Sequence, residues 1–256
     1  MNYVKLNQKN IHLIRVTNSF FKSYLIKKGI KKEKIFQIPI AVDTKKFKYQ
    51  KNKELLRKKF NLPQDKILIG SFHKDGEGWG NGEKPKMIKG PDIFIKTLIS
   101  LSSKIGKEKL HIVLTSPARG YIKRKLKQQK ISYTHYYPVE KKNIPLLFNC
   151  LDFYLITSRD EGGPRGIFEA MACGVPVIST NVGHAHDHIK NNYNGFKSQI
   201  NDYNSMSKNI IRLIKNPKLK KKIIQNSIKT AKLNSNNNHQ HFWNKFIKKF
   251  IENKIN

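Results

Sequence analysis

Between Lys66 and Ser179 short apolar runs and helix-patterned segments take turns, and that alternation leaves few folds open to the chain. Residues 67–69, 110–114, 131–137, 153–156 and 175–179 each carry the apolar, β-branched pattern of a strand. Helical patterns fill the intervals at 91–103, 120–129, 144–150 and 164–173. Strands apolar at successive positions are buried on both faces, and a helix between each pair returns the chain so that the strands run parallel. The expectation is an α/β fold with a parallel sheet covered by helices on both faces.

The flanks carry less. Residues 11–16 predict a buried strand, Thr17-Asn18-Ser19 supplies N-cap residues for a helix over 20–28, and Gly29 suits its end. A strand over 35–38 runs into Pro39, residues 43–52 form a charged linker, and 54–60 a short basic helix. After the turn signal Asn194-Gly195 come helices at 205–215 and 217–232, then a polar break over 234–238. In the last helix, 239–255, Phe242, Trp243, Phe246 and Phe250 fall at helical spacing, so that helix docks on another surface.

Lys and Arg number 51 against 17 Asp and Glu, a net charge of +34. Seven of the 51 are Arg and none is clustered, whereas base readers use Arg for bidentate contacts; no specific nucleic-acid role is expected. Diffuse Lys charge fits an anionic membrane surface or a polyanionic acceptor. No apolar run approaches the roughly 18 residues of a membrane span. The opening MNYVKLNQKN lacks the apolar core of a secretory signal. Cys150 and Cys173 make no disulfide framework, which points to a reducing, cytoplasmic setting, with peripheral contact at the inner face of a membrane.

The chemistry concentrates in SRDEGGPRGIFEAMACGVPVIST, residues 158–180. Glu161, Gly162 and Gly163 lie between strand and helix, with Pro164 at the first helical position. A helix start directs free N–H groups and a positive dipole end at the loop, which suits a phosphate. Glu169 sits in the most apolar helix of the chain, where a carboxylate needs partners, and vicinal sugar hydroxyls offer two donors at once. Lys89, just before Gly90-Pro91, is placed to neutralise a diphosphate as a point charge. The loop 70–91, with glycines at 76, 78, 80 and 82, matches neither GxGxxG nor a P-loop, and reads equally as a flexible hairpin insertion or a lid. His184, His186, Asp187 and His188 lack the spacing of a dinuclear metal motif, and 187–190 looks like the start of a helical turn, so no metal is expected.

These residues resemble the C-terminal half of the retaining glycosyltransferases called glycosyl transferases group 1, which have the two-domain GT-B fold. The resemblance rests on EGGPRGIFEAMACGVPVIST with its E-x7-E pair, supported by IPIAVDTKKF, the GSF…KG stretch and NVGHAHDHIKNNYNGF. It implies a Rossmann-like domain over 49–236, a remnant of an acceptor domain and interdomain segment over 1–48, and a helix over 237–256 that packs back on the N-terminal part. By the same resemblance Glu161 is the catalytic residue beside the donor sugar and Glu169 holds the ribose. Gly162, Gly163, Arg165 and Gly166 meet sugar and phosphate, Lys89 grips the diphosphate, and Val139 lies near the base. Ser71 stands where many members carry an Arg, with Lys74 a substitute. The donor would be a nucleoside-diphosphate sugar with no cofactor or metal, the acceptor a saccharide or lipid-linked saccharide of cell-envelope polysaccharide synthesis, and the transfer retaining. By that resemblance most of the acceptor half is missing, so the chain is expected to be either truncated or working with a separate N-terminal domain as partner. A sugar-nucleotide-binding module without turnover stays open as the alternative, with a basic nucleic-acid binder behind it.

Overall fold

The structure, a computed structural model, describes residues 10–255. The opening nine residues, and with them most of the signal-peptide reading and part of the 1–48 segment, lie outside the described residues. In chain order the elements are β1 (Ile14–Val16), α1 (Ser19–Lys27), β2 (Ile35–Gln37), α2 (Lys53–Lys59), β3 (Ile67–Ser71), α3 (Pro91–Ile105), β4 (Leu110–Thr115) and α4 (Gly120–Gln128). They continue with β5 (Ser132–Tyr136), α5 (Ile144–Cys150), β6 (Phe153–Ile156), α6 (Gly166–Ala172), β7 (Val177–Thr180), α7 (His184–His188) and β8 (Phe196–Ser198). Three helices close the chain: α8 (Tyr203–Lys215), α9 (Pro217–Leu233) and α10 (Asn236–Ile255).

Six strands form one parallel sheet in the order β5-β4-β3-β6-β7-β8. Successive residues of β6 divide between two cores. Phe153 and Leu155 face the layer that contains Phe94, Leu98 and Ile210, whereas Tyr154 and Ile156 face Phe148, Phe168 and Met171. Burial on both faces is why the strands read as unbroken apolar runs. After β3 the chain winds outward through β4 and β5, then returns to place β6 on the other side of β3. The strand order reverses there, and the loops leaving the C-terminal ends of β3 and β6 diverge to open a crevice.

Local chemistry moves several boundaries. Residues 164 and 165 precede α6, which spans seven residues from Gly166. At its other end Val175 N–H bonds the Ala170 carbonyl (2.9 Å) and Gly174 N–H that of Met171 (3.1 Å), a Schellman closure. Val175 therefore belongs to the cap and β7 begins at Val177. The strand β8, with one apolar residue in three, carries no pattern of its own and escaped the sequence reading.

β1 and β2 pair in parallel as a two-stranded sheet beside α1, with a small core of Val16, Leu25, Ile30 and Ile35. The polar break at 234–238 is a crossing point. Val42 N–H bonds the Asn234 carbonyl (3.0 Å), and Asn236 N–H bonds that of Val42 (3.1 Å), so the outgoing and returning chains pair at the neck. Beyond it α10 lies on the N-terminal unit, with Phe246 against Phe36 (5.4 Å between centroids) and Arg15 over Trp243 (5.1 Å). Among the described residues no helix is long and apolar enough to cross a membrane.

Candidate functional site

A cavity of about 620 Å³ opens at the C-terminal ends of β3 and β6, where the strand order reverses. Phe72 and His73 reach it from the loop after β3, Lys89 from the turn before α3, and Glu161, Gly163 and Arg165 from the loop after β6. Gly166 and Glu169 on α6, Tyr154 on β6, Lys141 and Ile144 near α5, and Val42, Asp43 and Asn236 at the neck complete it.

Its centre is an ion pair. Lys89 Nζ lies 2.6 Å from Glu161 Oε1, and the same oxygen accepts a bond from Ser158 Oγ at 2.9 Å. The two loops that carry the pair are fixed to each other. Arg159 forms a bidentate pair with Asp92 at the start of α3 (2.8 and 2.7 Å), and its N–H bonds the Ile88 carbonyl (2.8 Å). Gly90 adopts a left-handed conformation (φ 62°) and its carbonyl accepts from Thr157 Oγ1 (2.9 Å). A Cβ at this position would run into the Thr157 carbonyl, so only glycine lets the chain turn here and aim Lys89 into the cavity.

Glu169 stands differently. Its carboxylate lines the wall with Arg165 Nε 3.9 Å away, too far for a hydrogen bond. Burial holds its carboxyl above the ordinary value and Arg165 opposes that rise. A half-buried carboxylate without hydrogen-bond donors is costly, and the cost is relieved by any ligand that brings hydroxyls. The N–H groups of Gly163, Arg165 and Gly166 likewise have no partner among the described residues. Cations predominate around them. Lys46 pairs with Asp43 (3.5 Å), Lys89 with Glu161 and Arg165 loosely with Glu169 (3.9 Å), which leaves Lys141 without an ion-pair partner among the described residues.

The loop after β3 is held by a buried arginine. Arg119, 1% exposed, donates to the carbonyls of Ser71 (2.9 Å), His73 and Thr115 (3.3 Å), to Ser71 Oγ (3.1 Å), and pairs with Asp75 (3.1 Å). Burial pushes the Asp75 carboxyl up to about 6 against the pull of Arg119. Burial, then the charges of Arg119 and Lys89, push His73 down to about 3, so a neutral imidazole faces the cavity at neutral pH.

Of the residues singled out from sequence, Glu161, Glu169, Lys89, Gly163, Arg165 and Gly166 converge on this cavity. Gly162 does not line it, because its carbonyl turns towards the N-terminal unit. Ser71 is buried against Arg119, and Lys74 lies over the ring of Trp79 (4.0 Å), so neither is brought to the cavity wall. Val139 lines an adjoining space of about 290 Å³ with Tyr137, Pro138 and Ser116, which shares Phe72, Ile144 and Glu169 with the main cavity. Sequence reasoning missed His73, Tyr154 and Lys141. The loop 74–86 is a hairpin, with Glu77 N–H on the Lys84 carbonyl (2.9 Å) and Lys86 N–H on that of Asp75 (2.8 Å). Its tip is stitched to α4 through Gly120 N–H and the Asn81 carbonyl (2.5 Å).

The family model described as glycosyl transferases group 1 matches residues 84–230, which takes in Lys89, Glu161, α6 and every strand from β4 to β8. The chain belongs to the glycosyl transferases group 1 family. An uncharacterized glycosyltransferase of Methanocaldococcus jannaschii is 35% identical over 80 residues, 31% of this chain and 23% of the relative. The lipopolysaccharide core biosynthesis mannosyltransferase LpsB of Rhizobium meliloti is 26% identical over 150 residues, 56% of this chain and 39% of the relative. The matched parts thus span well under two thirds of these relatives. Among solved structures, Anabaena HepE in complex with UDP and glucose superposes with a TM-score of 0.78 at 18% identity, over 98% of this chain and 66% of that one. The C-terminal domain of a group 1 family protein, LpcC of Francisella tularensis, superposes at 0.62 with 21% identity, over 75% of this chain and 97% of the domain. The fold of this glycosyltransferase-family chain is therefore the Rossmann-like, helix-covered sheet of the GT-B proteins.

Proposed function

We propose that the cavity binds a nucleoside-diphosphate sugar and that the chain serves its transfer, with retention of configuration, to a saccharide or lipid-linked acceptor. The observation that carries this reading is Glu169, a half-buried carboxylate on the cavity wall with no hydrogen-bond donor among the described residues. Ribose hydroxyls would supply two charge-assisted bonds, each worth about 1.5–3 kcal/mol. The base would extend into the adjoining space by Val139 and Tyr137.

The diphosphate would lie by Lys89, Arg165 and the unpartnered N–H groups of Gly163 and Gly166, with Lys141 near by. These fixed donors and cations would meet the charge of the leaving diphosphate, so the proposal includes no metal. Approach of a phosphate to Lys89 would draw that ammonium from Glu161 and free the Glu161 carboxylate to face the donor sugar. In the transfer the bond from the anomeric carbon to the diphosphate oxygen breaks, and its electron pair leaves with the phosphate. The acceptor oxygen bonds the anomeric carbon from the same face, and its proton passes to the departing phosphate oxygen. Glu161, on the cavity wall, would stabilise the positive charge that develops on the sugar. The acceptor would enter beside Val42 and Asp43, where an acceptor-binding domain would stand; the matched part covers 66% of the Anabaena HepE chain.

Titration calorimetry with UDP-glucose and GDP-mannose tests the reading. Saturable binding of one of them to the chain is expected, weakened about 100-fold in Glu169→Ala, the equivalent of roughly 3 kcal/mol. Absence of binding by both, or binding unchanged in Glu169→Ala, would contradict it. A helix-melting control separates loss of the carboxylate from loss of the fold. The membrane-surface reading of the lysine excess, and the cytoplasmic setting with it, is checked separately by flotation with anionic vesicles.

A further inference from the structure

The N-terminal unit is fastened to the loop that carries Glu161 in a way its own fold does not require. The Gly162 carbonyl accepts two bonds from it, one from Thr17 Oγ1 and one from Asn18 Nδ2 (2.6 Å). Asn18 is fully buried and spends its other amide atom as the N-cap of α1, its Oδ1 accepting from Phe21 N–H at 2.9 Å. One residue on, Ser19 donates through N–H (2.8 Å) and Oγ to Asp187 of α7, which also accepts from Gln37 Nε2 (3.1 Å). His184 Nε2 accepts the Ile40 N–H (3.2 Å), and the same imidazole lies against Gly163, where a Cβ would come within 2.6 Å of Nε2. Neither Thr17 nor Asn18 lines the donor cavity.

The consequence follows from peptide geometry. The bond between Gly162 and Gly163 is planar and trans, so the Gly163 N–H projects from the side opposite the Gly162 carbonyl. Holding that carbonyl from the N-terminal unit sets the direction of an N–H that has no partner among the described residues, on a residue of the cavity wall. Glu161 is the next residue back along the chain. Two glycines in succession have little conformational preference of their own, so external bonds decide how this stretch lies.

We propose that Thr17 and Asn18 are positioning residues for the donor site: through the Gly162 carbonyl they set the 161–163 loop, and thereby couple the seating of the N-terminal unit to occupancy of the cavity. The proposal rests on the donor-binding reading above. Coupling of this kind is reciprocal, so a ligand in the cavity steadies α1 without touching it.

Backbone 15N relaxation and hydrogen exchange on the full chain test it with Thr17→Val, which removes the hydroxyl at constant shape, and Asn18→Ser, which keeps a good N-cap and removes the amide donor. Without ligand, both variants are expected to lower the 15N backbone order parameters of Gly162 and Gly163 from about 0.85 to below about 0.6 while the melting of the six-stranded body stays put. With UDP-glucose or GDP-mannose, whichever binds, wild type is expected to gain protection over residues 19–27, and the variants to lose that gain and bind about tenfold more weakly. Thr17→Ser restores the donor and should restore both. Unchanged order parameters at Gly162 and Gly163 in the two variants would overturn the proposal, as would wild-type donor binding that leaves α1 unprotected. Failure of wild type to bind either nucleotide sugar would overturn the donor reading instead, and the ligand-free order parameters would still decide this one.

Discussion

The six-stranded body and the N-terminal unit are held by opposite means. The body buries both faces of its sheet: Phe153, Leu155, Phe168 and Ile178 are essentially inaccessible, and two apolar layers enclose them. The N-terminal unit has two short strands, a small apolar cluster of Val16, Leu25, Ile30 and Ile35 and the packing of α10, and it meets the body through directed bonds to Gly162, Asp187 and His184. Area holds the first and geometry the second. A region of the first kind resists displacement, whereas one of the second kind can move as a unit at the cost of a few hydrogen bonds. The candidate site lies where the two meet.

Truncations in the two cores separate these modes most strongly. Phe153→Ala is expected to cost about 3–5 kcal/mol and to lower the denaturant midpoint of the whole chain. Leu25→Ala should instead speed amide exchange within α1 and leave that midpoint nearly unchanged. Equal shifts in the global midpoint would show that the two regions unfold as one.

Within the body, the loop after β3 depends on one buried charge. Arg119→Met strands the Asp75 carboxylate and removes five contacts to the backbone and side chains of 71–75 and Thr115. A loss of about 3–5 kcal/mol is expected from chemical denaturation, because a buried partner charge is left unmatched. A change below about 1 kcal/mol would mean that this loop is held by its hairpin contacts alone.

The junction should be sensitive to acid. Burial, then the neighbouring His188, pushes His184 down to about 3 from an ordinary 6.5. The fold accepts the neutral ring, so its contribution is fully present above pH 6.5 and is lost as pH falls below that value. At pH 5 the loss from this ring is about 2 kcal/mol. His184→Asn does not titrate, and melts at pH 7 and pH 5 should show a smaller acid loss than in wild type. Identical losses would place the acid-sensitive group elsewhere.

Much of this was legible in sequence, and the reasons differ by element. Strands buried on both faces announce themselves as apolar runs, so β3, β4, β6 and β7 were visible within a residue or two, whereas β8 was not. The E-x7-E spacing placed Glu161 and Glu169 at one mouth because strand, loop and helix follow one another locally. Arg119 was not foreseeable as the support of the loop after β3, because its partner Asp75 lies 44 residues earlier and only the fold brings them together. Ser71 and Lys74 show the converse. They occupy places next to the site in sequence, but alternation along β3 and the pull of Arg119 and Trp79 turn them elsewhere. The family resemblance implies a sugar or phosphate contact for Gly162, whereas its carbonyl is held by Thr17 and Asn18.

A crystal structure of the chain with a bound nucleoside-diphosphate sugar tests the central claim most directly. The account predicts ribose hydroxyls on Glu169, the diphosphate on Lys89, and a Lys89–Glu161 separation longer than the present 2.6 Å. A ligand seated away from Glu169, or a diphosphate bound with that ion pair still closed, would contradict it.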